Sequence, residues 1–415
     1  MELNEIKKDY FWNSVGILAQ TLTSPLLLVV VARAHGEASV GLFTLLFSYS
    51  LILWTLNLWG GRTYQVSDVK EEFSVSGYLL VRIMLAVLVL ILALLIGMIS
   101  NFDQYAMVLL LCLTLFKSIE AIADTFFGVL QSNNLLYITG RSLLLKAVVG
   151  LLFFIIVDFL THSLVWASVA ITLVNLFFLI AYDYFYVKKV FVYSFGKLYR
   201  FIPEAFDILK KTWQVCVISV ITMITINIPR IFLSYYYFEL LGRFGIIALS
   251  VTLSSVGIAF VIQPQVVGVG RSWAEKRYRE FSKRINRLVG MSCGFGGLII
   301  VTMALFGVPA LYLVFRIDLS ADWFALVAMT VGGVLNALVL LFFHVLTIMR
   351  EMRKLLVMLI CTNVLLVILC LFLIPYFDLL GATVAYLFCT GIQSVIVLFI
   401  YVTRVRCVKE ADIKP

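Results

Sequence analysis

Apolar residues fill this chain in a series of runs about twenty residues long, and polar residues are confined to short stretches between the runs. An α-helix needs a run of that length to cross a hydrocarbon core of about 30 Å. The pattern therefore predicts an all-α polytopic membrane protein with about twelve transmembrane helices. We place them at residues 11–32, 38–60, 77–100, 105–130, 140–160, 163–187, 212–235, 240–268, 286–308, 323–348, 354–374 and 380–403.

The longest polar interruption divides these helices into two sets of six. We predict an N-lobe at 1–187, a cytoplasmic interfacial linker at 188–211, a C-lobe at 212–403 and a cytoplasmic tail at 404–415. A second stretch, 271–288, also has the pattern of an amphipathic surface helix. An even number of helices per lobe gives both lobes one orientation, so the lobes form a parallel pseudo-repeat with a substrate path expected between them.

A faint internal repeat supports this division. The connections after the first and seventh helices share an acidic residue, a glycine and a phenylalanine in similar order, as Glu37/Gly41/Phe43 and Glu239/Gly242/Phe244. The same two helices each contain a proline, Pro25 and Pro229. Proline frees a backbone carbonyl and tends to kink a helix, so these two are candidate bending points.

Composition and charge add the orientation. Hydrophobic residues make up 63% of the 415 residues and charged residues 13%, so lipid must cover most of the surface. Of the 32 Lys and Arg residues, 25 lie on the side that holds both termini, three on the other side and four within helices. The positive-inside rule then places both termini in the cytoplasm. The net charge of +9 follows from this topology and from attraction to anionic lipid, and predicts no nucleic-acid partner.

Four ionisable or polar residues lie on one face of the fourth helix: Lys117, Glu120 and Asp124 at positions i, i+3 and i+7, with Gln131 a further two turns on. Charged side chains at bilayer depth are costly, so this face must point to a partner or a cavity. Two interpretations are open: a Lys117–Glu120 pair that serves packing, or a hydrated cavity lined by Lys117. Glu120 or Asp124 are candidates for coupling to H⁺ or Na⁺, and no other cofactor is expected.

Further cations lie within or at the ends of helices. Lys146 lies about one-third of the way into the fifth helix, Arg141 at its cytoplasmic mouth and Arg82 at a shallow depth in the third. Snorkelling to the interface accounts for Arg82 and Arg141 as well as a substrate role does. Arg230 and Arg33 lie near the outer surface, as an outer gate or as headgroup anchors. The surplus of cations favours an anionic substrate, such as a pyrophosphate headgroup.

Amide side chains complete the set of candidates. Asn13 and Gln20 share a face of the first helix with Ser24, and Asn57 lies at membrane depth in the second. Interhelical hydrogen bonding is the usual role of such residues, and substrate contact is the alternative. The seven cysteines and three histidines form no metal-binding spacing, so we expect no metal site.

Several segments resemble Wzx-type polysaccharide transporters, the lipid-linked oligosaccharide flippases of the multidrug/oligosaccharidyl-lipid/polysaccharide exporter superfamily. These segments are EASVGLFTLL, IEAIADTFFGVLQSNNLLYITGRSLLLK, ELLGRFGIIALSV and DLLGATVAYLF. The resemblance implies alternating-access transport of undecaprenyl-pyrophosphate-linked oligosaccharide across the bacterial cytoplasmic membrane. It implies membrane lipids, a polysaccharide polymerase and glycosyltransferases as partners.

Two other functions stay open. A cation-coupled multidrug exporter of the same superfamily would favour an acidic cavity, which the cation surplus argues against. A membrane polysaccharide polymerase or glycosyltransferase would need a sizeable outer loop with clustered catalytic residues, whereas the outer connections here are about four to fourteen residues long. The sequence therefore predicts a protein that is not an enzyme.

Overall fold

The computed structural model describes residues 3–67, 72–190, 199–262 and 265–413, and these residues form helices and connecting turns without a strand. The prediction of an all-α polytopic membrane protein is confirmed. The helices are α1 Leu3–Leu58, α2 Gly61–Ser67, α3 Val75–Ile99, α4 Gln104–Ser132, α5 Leu136–Thr161, α6 Leu164–Phe178, α7 Phe185–Lys188, α8 Ile202–Tyr236, α9 Leu241–Ile247, α10 Leu249–Ile262, α11 Val266–Ala274, α12 Tyr278–Phe315, α13 Trp323–Ile348 and α14 Met352–Ile413. A π-helical segment, Leu179–Tyr184, joins α6 to α7.

Two of the helices are long enough for two membrane crossings each. Ten helices in the described part of the chain are long and apolar enough to span a bilayer, and the spans in α1 and α14 are 51 and 55 residues long. Each contains one residue with non-helical backbone angles, Gly36 (φ 78°, ψ −174°) in α1 and Asp378 (φ 48°, ψ −128°) in α14. A single residue thus turns the chain between the first and second predicted helices, and again between the last two.

Most of each stretch predicted as a surface helix is, in the structure, the beginning of a longer helix. Residues 202–211 form the first turns of α8, and residues 278–288 the first turns of α12, each without a break before the apolar run. Residues 191–198, in the predicted linker, lie outside the described residues. The amphipathic segments therefore extend membrane-crossing helices, because their helical geometry continues directly into the apolar run.

The chain forms two compact units, Met1–Met223 and Ile224–Pro415, and the division falls inside α8. We call them the N-unit and the C-unit; the predicted lobe limits around 188–211 stay a prediction. In the N-unit α1 packs on α5 and α4, while α4 also packs on α3 and α6. In the C-unit α13 is central and packs on α14, α10 and α12.

The closest helix contact of the N-unit depends on two glycines. A Cβ atom added at Gly140 of α5 would lie 2.1 Å from the carbonyl oxygen of Trp12, and one at Gly16 of α1 would lie 2.3 Å from the carbonyl oxygen of Gly140. Backbone therefore meets backbone at this crossing, as is typical of small-residue packing between membrane helices. The contact holds the polar stripe of α1 against α5.

Candidate site among the buried charges of the N-unit

The charged face of α4 is divided between two clusters. In the first, Lys117 Nζ donates to Glu120 Oε2 at 2.8 Å. The ammonium group also lies over three rings, at 5.3 Å from the centroid of Phe47, 5.6 Å from that of Trp54 and 4.7 Å from that of Phe116. Lys117 is only 7% exposed. Its surroundings are thus aromatic rings and a carboxylate, as expected for the packing pair that the sequence left as one alternative.

The second cluster joins α2, α3 and α4 through one carboxylate. Asp124 accepts from Arg82 Nη2 at 3.0 Å and from Arg62 Nη1 at 3.3 Å. Arg82 also donates to the carbonyl oxygen of Asn57 at 2.6 Å. Arg62 donates through Nε and Nη2 to Gln131 Oε1, at 3.2 and 3.0 Å. Arg82 therefore links helices from a buried position, and its side chain is 3% exposed. In this structure its guanidinium group is bound inside the protein and does not snorkel to the interface.

Lys146 forms the most deeply buried ion pair. Its Nζ contacts Asp183 Oδ2, and Ser142 Oγ donates to Asp183 Oδ1 at 2.5 Å. Asp183 is fully buried in the π-helical segment, and Lys146 is 6% exposed. The sequence analysis did not single out Asp183. A lone carboxylate inside the predicted helix 163–187 is the signal that could have found it, since such a group needs a partner at that depth.

A small cavity of about 20 Å³ lies between the two lysine-carboxylate pairs. Glu120 and Lys146 both line it, with Gln20 and Thr23 of α1 and Asn175 of α6. Apolar side chains form the remaining wall: Phe116, Ala123, Phe127, Leu143, Ala147 and Ile171. The structure thus brings together three residues predicted from different helices, Glu120, Lys146 and Gln20, whereas Lys117 does not line the cavity.

The remaining candidates of the N-unit lie away from this cavity. Arg141 lies over the rings of Trp12 and Tyr137, at 4.7 and 5.5 Å from their centroids. Asn13 follows Trp12 at the glycine contact between α1 and α5. The Asn57 side chain is fully buried, and its backbone carbonyl accepts from Arg82. Their substrate roles stay predictions.

The outer gate and the hinges also stay predictions. Arg33 is exposed in the N-unit, whereas Arg230 belongs to the C-unit, where its Nη1 donates to Asn227 Oδ1 at 3.3 Å. Pro25 and Pro229 lie inside α1 and α8. The residue of α1 with non-helical angles is Gly36, eleven positions beyond the proline, so α1 is helical around Pro25 in this state.

One further pair of the N-unit was missed by the sequence analysis. His35 Nε2 lies 2.7 Å from Asp158 Oδ1, next to Gly36 and near the end of α5. Asp158 is 2% exposed. The partners are 123 residues apart, and no local pattern connects them. Within the described residues no group of three or more His, Cys, Asp or Glu side chains is arranged to hold a metal ion.

The long apolar helices and the buried polar groups define a helical polytopic membrane protein, and comparison with known proteins shows which fold it has. No protein-family model matches the sequence, and no curated protein matches it significantly. Solved structures do match over nearly the whole chain. At under 20% identity this similarity shows the fold.

The matching structures are transporters of the MOP superfamily. The inward-facing conformation of a multidrug resistance MATE family transporter gives a TM-score of 0.72 at 17% identity, covering 94% of this chain and 96% of the other. The outward-facing conformation gives 0.68 at 16%, with 98% and 96% covered. A MOP superfamily transporter from Pyrococcus furiosus Vc1, described by a reverse polarity of its binding pocket that suggests a different function, gives the same values. The chain therefore has the fold of these MOP superfamily transporters.

Proposed function

We propose that this protein is an alternating-access transporter for an anionic lipid-linked substrate, a polyprenyl-pyrophosphate-linked oligosaccharide carried from the inner to the outer leaflet. One observation carries the proposal: four carboxylates of the predicted N-unit membrane helices each have a basic partner in the structure, and one of them is shared by two arginines. The paired carboxylates are Glu120, Asp124, Asp158 and Asp183.

The charge balance is clearest in the second cluster. Arg62 and Arg82 share the single carboxylate of Asp124, which leaves one net positive charge. Arg141 adds another, held over aromatic rings. In a medium of low dielectric constant such a charge attracts an anion strongly. A cationic substrate would instead need a carboxylate free of basic partners.

Ion coupling is proposed at Glu120. Among the two coupling candidates, Asp124 is bound by two guanidinium groups, whereas Glu120 has one lysine partner and lines the cavity. The same cavity is lined by Gln20 and Thr23, and Thr23 is two residues from Pro25. A change in the protonation or ion occupancy of Glu120 would therefore act close to Pro25, the candidate bending point of α1. Solved MATE structures have been described in bent and straight conformations, which supports a hinge in this fold.

The proposal is tested by substrate binding to the purified full chain in detergent. A short-chain polyprenyl pyrophosphate should raise the thermal unfolding temperature, and tetraphenylphosphonium should not. Replacing one whole ion pair, Lys146→Met with Asp183→Leu, should abolish this shift without leaving a buried charge unpaired. The matched control removes a pair that does not line the cavity, His35→Leu with Asp158→Leu, and should keep the shift. Loss of the shift in both double variants would contradict the site.

A second candidate function is export of cationic drugs, because two of the matching structures are described as multidrug resistance transporters. That function predicts the opposite result in the same experiment. Stabilisation by tetraphenylphosphonium, with no response to the polyprenyl pyrophosphate, would favour the drug exporter over the flippase.

A further inference from the structure

The first turns of α12 carry a basic face that the transport site does not use. Glu280, Lys283, Arg284 and Arg287 are spaced i, i+3, i+4 and i+7, so they share one face of the helix. All of them line a groove of about 430 Å³, with Gln265, Leu288 and Met291. The groove belongs entirely to the C-unit.

The opposite face of the same turns is fixed to the C-unit. Phe281 and Ile285 are fully buried and Leu288 is 2% exposed. The ring of Phe281 lies 4.9 Å from that of Trp273 and 6.4 Å from that of Tyr401 in α14. The segment is therefore a packed part of the unit, and its cations are held in a defined place.

Two of the groove cations lack a carboxylate partner. Glu280 accepts from Arg284 at 3.0 and 2.7 Å and from Arg277 at 2.7 Å, so its charge is already balanced. Among the ion pairs of the described residues none includes Lys283 or Arg287. These two groups lie one turn apart on the helix. The pair can therefore bind the oxygens of one phosphate group, one side chain from each turn.

The groove also changes from charged to apolar along the helix. Lys283 and Met291 are eight residues apart, a rise of about 12 Å at 1.5 Å per residue. Arg287 lies between them, and the exposed side chain of Met291 follows on the side that leads into the apolar run, while Leu288 forms the buried base of the groove. A soluble polyphosphate would use only the charged half of such a groove. A lipid with a phosphate headgroup would use both.

We propose that this groove binds an anionic phospholipid of the inner leaflet, with its phosphate between Lys283 and Arg287 and its acyl chain along Met291. The site sits on the side of the chain where the positive-inside rule places cytoplasmic cations. It is independent of the transported substrate, and it anchors the inner end of α12.

The test uses the purified full chain in a neutral detergent, with dioctanoyl-phosphatidylglycerol as the probe and thermal stabilisation as the readout. Dioctanoyl-phosphatidylcholine is the zwitterionic probe with the same acyl chains, and glycerol phosphate represents the headgroup alone. We expect the anionic lipid to stabilise the protein at lower concentration than either. Lys283→Gln with Arg287→Gln should weaken that response about tenfold or more, since each cation near an anionic lipid contributes measurably.

The matched control removes the same charge from the same segment outside the groove, as Lys276→Gln with Arg279→Gln. Both side chains are exposed and neither lines the groove. The control should change the lipid response less than twofold. Equal weakening in the two double variants would show diffuse attraction to a basic segment and overturn the site. An equal response to glycerol phosphate would show that the acyl half takes no part, and would overturn the lipid assignment.

Discussion

The two units of this protein bury different kinds of polar group. Among the described residues, the buried charged side chains all belong to the N-unit: Asp9, Arg82, Lys117, Lys146, Asp158 and Asp183. In the C-unit the buried polar residues of the described part are Ser, Thr, Asn and Gln, such as Thr225, Asn363 and Gln393. In the described part of the chain, the buried polar groups of the C-unit are thus held by neutral hydrogen bonds, whereas most of the buried charges of the N-unit form ion pairs.

This difference leads to a hypothesis about which unit binds the substrate and the coupling ion. Burying an ion pair costs desolvation that the pair regains only in part, so replacing it by apolar residues is often neutral or stabilising. Six buried charges are therefore a poor means of making a helical bundle stable. Our hypothesis is that they are kept because the N-unit must change its charge state during the proposed transport. The C-unit, whose buried polar groups in the described part are neutral, keeps the same charge state.

The largest effect is expected from breaking the Lys146–Asp183 pair from one side. Asp183→Leu leaves an ammonium group buried without its carboxylate, and should cost about 3–5 kcal/mol. Thermal unfolding of the purified protein in detergent measures this loss. Adding Lys146→Met should restore most of the stability, because no buried charge remains. If the single variant were as stable as the wild type, an unpaired buried charge would carry no such cost, and the difference between the two units would lose its energetic basis.

A smaller loss is expected from Asp124→Asn. Arg62 and Arg82 then lose their shared carboxylate, but Asp124 is 19% exposed and water can solvate part of the arginine charge. We expect a cost of about 1–3 kcal/mol in the same measurement. Asp207→Asn, at an exposed carboxylate of α8, is the control and should leave the unfolding temperature unchanged.

Removing a buried neutral hydrogen bond of the C-unit should lower the free energy of unfolding by less than either change in the N-unit. Thr225 Oγ1 donates to Asn363 Oδ1 at 3.0 Å, and Asn363 Nδ2 lies 2.9 Å from the same hydroxyl oxygen. Asn363→Leu should cost about 1 kcal/mol, the usual scale of a neutral hydrogen bond between membrane helices. Thr225→Val in the same chain should add little. A loss as large as that of Asp183→Leu would erase the distinction between the two units.

The smallest effect is expected at an ion pair of the N-unit that is exposed. Lys211 contacts Glu72, and both side chains are largely open to solvent. Exposed pairs contribute little because water and salt screen them. Glu72→Gln should leave the unfolding temperature within error, at low and at high salt. A clear loss here would mean that charge itself, and not burial, distinguishes the N-unit.

Some features of the fold could be predicted from short stretches of the sequence alone. The predicted helix 323–348 coincides with α13, Trp323–Ile348, and the predicted 105–130 lies within α4, Gln104–Ser132. Hydropathy predicts these limits because the thickness of the bilayer sets the length of an apolar run. It also predicted two spans in the region of α1 and two in that of α14, but not that a single residue, Gly36 or Asp378, makes the turn between them. The Lys117–Glu120 pair was predictable too, because its members are three residues apart on one helix.

By itself, then, the sequence determined the class of the protein, the number of crossings and the presence of charges at membrane depth, all of which follow from composition and helical period. Only the tertiary structure decided which charges meet. Asp183 reaches Lys146 and Asp158 reaches His35 across 37 and 123 residues of sequence. Such pairs depend on how each helix is rotated about its axis and on which helices touch, and no local pattern in the chain encodes either.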